Sequence, residues 1–272
     1  MLVGIVNITT DSFSDGGRFL DPAAAVAQAR RLIDDGASIV ELGAAASNVA
    51  AKPVGAAEEI RRLEPVIAVL SADGVPLSVD SFEAEVQRWA LGRGVSFLND
   101  IHGFPDPTVY PALASARGLI VMHAVQRRGR ARRQDLAPGT VLRRIRAFFD
   151  QRIAALTSAG ITRERLILDP GMGFFLSSRP EASLRVLAAI GRLKTEFGLP
   201  VMISVSRKSF LSAVADRESP RELGAATLAA ELFAATQGAD YIRTHDPGAL
   251  TDALRVSNAL KEEAARLGPI SA

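Results

Sequence analysis

Asp34-Asp35-Gly36-Ala37-Ser38-Ile39-Val40-Glu41 reads as the end of a helix, a turn and a short buried strand that stops on a charged residue. Glycine enters the left-handed backbone region without a side-chain clash, so a glycine just ahead of an apolar run marks helix stop and strand start. The unit returns with Gly74, Gly94, Gly118, Gly160, Gly198 and Gly238, each followed by an apolar run. With the run that opens the chain, the expected strands are 2–7, 39–41, 77–80, 97–99, 119–123, 166–169, 201–206 and 241–244. Amphipathic segments fill the gaps at 22–35, 56–72, 82–93, 108–116, 140–158, 179–197, 221–237 and 248–267, the first with Asp21 as N-cap and Pro22 in its opening turn. An open doubly wound sheet shares this local alternation, but eight regular β–α units favour a closed α/β barrel, a single (β/α)8 domain over residues 1–272.

Composition excludes several classes. With no cysteine, disulfides and thiolate metal sites are ruled out, and three histidines, His102, His123 and His245, leave little for a histidine-rich metal centre. Strand-like sequence begins at Leu2 with no basic leader, and no apolar run approaches a membrane span, so a soluble cytoplasmic protein is expected. Lysine plus arginine number 32 against 30 acidic residues, a formal net charge of only +2 that gives no reason to expect nucleic acid. Arg127, Arg128, Arg130, Arg132 and Arg133 form one basic cluster. It either faces water or draws an anionic substrate toward the barrel mouth.

Segments that enter strands are short, whereas those that leave them are long and polar: 8–17, 44–53, 101–107, 125–138, 170–178 and 207–220. In an α/β barrel the loops after the strands build the reactive face. Asn7, Asp80, Asn99, Asp100, His123, Asp169, Arg207, Lys208, Arg243 and His245 should therefore converge on one rim. Any one of them is explained equally well as a helix cap, but together they mix carboxylates, amides and cations. That mixture matches a nitrogen-rich planar heterocycle and a phosphate. No Walker-type loop, paired zinc histidines or serine nucleophile elbow is present.

The segment Asn7-Ile8-Thr9-Thr10-Asp11-Ser12-Phe13-Ser14-Asp15-Gly16-Gly17 resembles the first loop of dihydropteroate synthases. The resemblance continues at 78–81, 99–101, 121–123, 169–174, 206–210 and 242–245, on successive strand ends, and so spans the chain. It implies displacement of pyrophosphate from 6-hydroxymethyl-7,8-dihydropterin pyrophosphate by p-aminobenzoate, giving 7,8-dihydropteroate for folate synthesis. By resemblance, Asp80, Asn99, Ile101, Met122, Asp169, Phe174 and Lys208 line the pterin pocket. Asn7, Arg243 and His245 meet the pyrophosphate, with Asn7 also on Mg2+, while Phe13, Ser47, Phe175 and Ser209 face p-aminobenzoate. The catalytic set is Asp80, Asp169, Lys208 and Asp15, and a homodimer is implied, consistent with the alanine-rich face at 225–235.

Two stretches depart from the pattern. Where the family reads Asp-x-Gly-Gly-Glu-Ser-Thr-Arg-Pro-Gly, this chain has Glu41-Leu42-Gly43-Ala44-Ala45-Ala46-Ser47-Asn48-Val49-Ala50, which loses the arginine expected at pyrophosphate. After Asp169-Pro170-Gly171-Met172-Gly173 it has Phe174-Phe175-Leu176, adding bulk beside p-aminobenzoate. Both are similar to the sulfonamide-resistant synthases carried on mobile elements. Reduced sulfonamide sensitivity is therefore expected. Three other readings remain: a methyltetrahydrofolate-binding methyltransferase, which has no need of the pyrophosphate cations; a Schiff-base aldolase using Lys208; and a pterin-binding protein without turnover.

Overall fold

The computed structural model describes residues 1–9, 21–46, 53–126 and 133–267. Eight parallel strands form one sheet: β1 (Leu2–Asn7), β2 (Ile39–Gly43), β3 (Leu77–Asp80), β4 (Phe97–Asp100), β5 (Gly118–Met122), β6 (Leu166–Asp169), β7 (Met202–Ile203) and β8 (Tyr241–Thr244). Their order, β6-β5-β4-β3-β2-β1-β8-β7, leaves one seam between β6 and β7. A bridge from Leu168 to Val201 and the Leu168 N–H to Pro200 carbonyl bond at 2.8 Å close it, so the sheet is a barrel.

Around it lie α1 (Pro22–Asp34), α2 (Ala56–Ala72), α3 (Ala84–Gly92), α4 (Tyr110–Leu113), α5 (Val141–Ser158), α6 (Pro180–Leu187), α7 (Ile190–Phe197), α8 (Ser209–Ala215), α9 (Gly224–Thr236) and α10 (Pro247–Leu267). Asp21 caps α1 as expected, accepting from the backbone N–H groups of Ala23 and Ala24 at 3.4 and 3.2 Å. Three expectations change. The helix at 179–197 breaks into α6 and α7 at Ala188-Ala189. A short helix, α8, stands in the segment read as the loop 207–220. Gly118 belongs to β5 itself and has no left-handed backbone; a Cβ there would meet the Phe97 ring at 2.5 Å, so this glycine is required for packing.

Strand side chains alternate between two cores. Val6, Val40, Leu42, Val79, Leu98, Val121, Leu168 and Ile203 face the helices in the main apolar cluster. Val3, Ile39, Phe97, Ile120, Ile167 and Met202 fill the barrel interior as a separate layer, with Tyr241 against it. One residue pair further along that inner face stand Glu41, Asn99, Met122, Asp169, Ser204 and Arg243. The apolar layer is thus the floor beneath a polar one, and it opens toward the strand ends.

Candidate active site

Asp80, Asn99, Ile101, Met122, Asp169, Met172, Phe175, Ser204, Lys208 and Arg243 line one pocket. Six strands, β3 to β8, contribute through inner-face positions or the residues just beyond them, so no single segment carries the site. Its centre is an ion-pair network. Arg243 donates through Nε to Glu41 and through Nη2 to Asp80 Oδ2 at 3.2 Å. Glu41, fully buried, also accepts from Ser78 Oγ at 3.0 Å and from Asn99 Nδ2 at 3.2 and 3.3 Å. Asp169 Oδ1 accepts from the Gly171 N–H at 2.8 Å. Lys208 Nζ stands 5.1 Å from the centroid of the Phe175 ring, a cation–π contact.

Local backbone sets these directions. Gly171 has φ of +75°, and a Cβ there would collide with the His123 carbonyl oxygen, so the turn after β6 can fold against β5 only with glycine. Arg207 takes φ of +58°, unusual for a non-glycine residue, and turns the chain so that Lys208 reaches the cavity before α8 begins. Asp100 sits one residue beyond Asn99 and therefore on the other face. It accepts from Gln87 Nε2 at 2.8 Å and from the His102 N–H at 2.7 Å, so it anchors the loop and does not line the cavity.

Crowding of charge away from water sets the titration of these groups. Burial, reinforced by Glu41, raises the Asp80 carboxyl above the ordinary range, with Arg243 and Lys208 opposing. Burial pushes Asp169 up to about 6, with Gly171 and Lys208 opposing. Burial and the Arg243 charge bring Lys208 down to about 8. His245, whose Nδ1 lies 2.9 Å from Ser206 Oγ, is held well below its usual value by burial and by the charges of Arg207, Arg243 and Lys208. His123 falls to about 4 through burial, its Nδ1 3.2 Å from the Pro170 carbonyl.

The expected pterin residues come together, with one exchange. Phe175, expected at p-aminobenzoate, lines the cavity and packs with Ile101 and Met122, whereas Phe174 packs on the outside of that cluster under Arg133. Arg243 lies among the carboxylates of the cavity, while Asn7, Ser209 and His245 lie outside its lining. Ser209 is nonetheless close to the turn after β6, its Oγ 3.2 Å from where a Gly173 Cβ would stand. Phe13, Asp15, Ser47 and four of the five clustered arginines, those within 127–132, fall outside the described residues. Glu41, Met172 and Ser204 were missed. Glu41 and Ser204 were legible as inner-face partners of Ile39 and Met202, two residues along each strand; Met172, in the turn, has no such periodic signal.

A family model for pterin binding enzymes matches residues 3–245. The chain is 57% identical over 265 residues, 97% of each chain, to dihydropteroate synthase type-2 of Escherichia coli. Among solved structures, dihydropteroate synthase of Xanthomonas albilineans with 4-aminobenzoic acid gives a TM-score of 0.85 at 38% identity, covering 96% of this chain and 92% of that one. The Xanthomonas albilineans enzyme in complex with 7,8-dihydropteroate gives a TM-score of 0.80 at 34% identity, with the same coverage of both chains. The polar pocket, the strand-end motifs and this near full-length similarity agree, and the chain belongs to the dihydropteroate synthases, a family of pterin binding enzymes.

Proposed function

We propose that the cavity binds 6-hydroxymethyl-7,8-dihydropterin pyrophosphate and that p-aminobenzoate displaces its pyrophosphate to form 7,8-dihydropteroate. The observation that carries this is the convergence of Asp80, Asn99, Asp169, Lys208 and Arg243 in one small pocket. A heterocycle with alternating donors and acceptors satisfies such a set, which would be costly to bury unmatched. As the carbon–oxygen bond to pyrophosphate breaks, its electron pair leaves with the phosphate and positive charge develops on the pterin methylene. Asp80 and Asp169 lie where fixed negative charge stabilises that cation. The arylamine nitrogen then bonds to the methylene carbon and releases a proton.

Asn7, half-buried beside Gly43 at the end of β1, would meet the pyrophosphate with His245. No group of three His, Cys, Asp or Glu side chains suited to a metal occurs among the described residues. Asn7 offers a single neutral oxygen, a donor that fits a hard cation held mainly by phosphate oxygens and water. Mg2+ so bound would neutralise the leaving pyrophosphate.

Reduced sulfonamide sensitivity is the second part of the proposal. Phe174 and Phe175 follow Gly173, which lies against Ser209, so their bulk stands beside the residue expected to meet p-aminobenzoate. A sulfonamide extends beyond the smaller carboxylate, and steric rejection there discriminates drug from substrate. We also place the enzyme in the cytoplasm as a homodimer. No described helix is long and apolar enough to cross a membrane, and Ala225, Ala229 and Phe233 form an exposed apolar stripe on α9. The test is coupled formation of dihydropteroate and pyrophosphate by the purified protein, with sulfamethoxazole inhibition compared with the Michaelis constant for p-aminobenzoate. Absence of product would refute the reaction; inhibition at or below that Michaelis constant would refute the discrimination.

A further inference from the structure

Glu41 has no part in the assignments above, yet it joins more of the pocket than any residue that does. On the inner face of β2, with 0% exposure, it accepts from β3 through Ser78, from β4 through Asn99 and from β8 through Arg243. Both of its oxygens take the Asn99 amide nitrogen, at 3.2 and 3.3 Å. One N–H of Asn99 is thus shared between these two oxygens, which lie too close together to take both hydrogens, and that bond fixes which way the amide faces. Its Oδ1, buried and with no protein partner, is the end left for a ligand. Turning the amide over would set its oxygen against two carboxylate oxygens, which have no hydrogen to share. On the other side, holding Arg243 by Nε leaves Nη2 for Asp80 Oδ2 at 3.2 Å.

We infer that Glu41 is a positioning residue for the synthase reaction: it fixes the order of donors and acceptors on the pocket floor without itself lining the cavity. The heterocycle then meets an acceptor at Asn99, suited to a ring N–H or an exocyclic amine, and an arginine-paired carboxylate at Asp80. This rests on the reading of the cavity as the pterin site. Glu41 also acts at a distance, since its charge raises the proton affinity of Asp80, Asp169 and Lys208 together. Other charges acting on this cluster are Arg243, Asp100 from the opposite face of β4, and Glu59; His245 is kept neutral by burial and by Arg207, Arg243 and Lys208. Arg243 opposes Glu41 at both aspartates.

The test compares the wild-type protein with Glu41→Gln and Glu41→Asp. Wild-type turnover tests the pterin reading; the ratio of each variant to wild type tests Glu41. For E41Q the Michaelis constant of the pterin pyrophosphate should rise about 10-fold or more, the size of one charge-assisted hydrogen bond, while that of p-aminobenzoate changes less than about 3-fold. Loss of the charge should also move both limbs of the kcat/KM pH profile to lower pH, a change that simple loosening would not produce. E41D retains the charge but withdraws the carboxylate by one methylene, so the pterin constant rises while the limbs stay in place. A folded E41Q with unchanged pterin KM and unmoved limbs overturns the assignment. If E41Q does not fold, an unchanged pterin KM in E41D overturns it. Should neither variant fold, 15N-labelled Asn99 in the wild type decides: the one amide proton held by Glu41 should stay protected from exchange when a pterin analogue binds, and loss of that protection overturns the assignment.

Discussion

At the scale of single residues, the site depends on groups whose titration is displaced in opposite directions. In the proposed reaction Asp169 acts ionised, to stabilise a cation, and Lys208 protonated, to donate to the pterin. With the first raised to about 6 and the second lowered to about 8, kcat/KM should follow a bell with limbs near those values. Because the groups interact, the limbs belong to the cluster as a whole. The profile measured at saturating p-aminobenzoate checks this, and Lys208→Met should abolish the alkaline limb along with most activity. Asp169→Asn should lower kcat by about 100-fold or more, as loss of a preorganised charge does, with a smaller change in pterin KM. Ser204 gives a prediction of opposite signs. Its Oγ is buried in the pocket wall without a protein partner, so Ser204→Ala should raise ligand-free stability by about 1 kcal/mol in thermal unfolding. The same change should reduce the thermal shift produced by a bound pterin.

At the scale of elements, the loop after β4 shows how the barrel holds an awkward backbone. Gly103 and Phe104 both have positive φ, at 67° and 60°, and Phe104 is wholly buried. The conformation persists because Arg152 of α5 is buried beneath it. Its guanidinium donates to the Gly103 carbonyl at 2.8 Å, to the Phe104 carbonyl and to Tyr110 Oη at 2.7 Å. Arg152→Met would leave the Gly103 carbonyl and the Tyr110 hydroxyl oxygen without this donor and the Phe104 carbonyl with Tyr110 Oη alone. A loss of about 2–4 kcal/mol in urea unfolding is expected, with weaker pterin binding because Ile101 is on the same loop. None of this was legible locally: Arg152 lies 48 residues from Phe104, and a buried arginine on an amphipathic helix looks like any other polar position. The split between α6 and α7 was equally hidden, since Ala188 and Ala189 are good helix formers that only tertiary packing interrupts.

At the scale of the whole molecule, two carboxyls buried between barrel and helices make stability depend on pH. Burial raises Glu59 to about 7 and Glu231 to about 8, from 4.5. Each binds its proton more tightly in the folded state, so stability should fall as pH rises from 4.5 toward 7 or 8, by at most about 1.4 kcal/mol per unit for each group. Glu231→Gln should therefore gain stability relative to wild type between pH 5 and pH 8 in urea unfolding. The proposed dimer has its own test: Phe233→Glu, at a position 43% exposed on α9, should convert it to a monomer by light scattering. Sequence by itself determined the eight strands and the rim on which they end in polar residues, because a period of two and a glycine stop are local properties of the chain. Six of the seven glycines read as stops, at 36, 74, 94, 160, 198 and 238, do have positive φ. Tertiary structure alone decided that Phe175 rather than Phe174 enters the cavity, that Arg243 joins the carboxylates, and that Glu41 ties Ser78, Asn99 and Arg243 together. Those outcomes depend on side chains from strands far apart in sequence competing for one small buried volume, where each charge must find its partner.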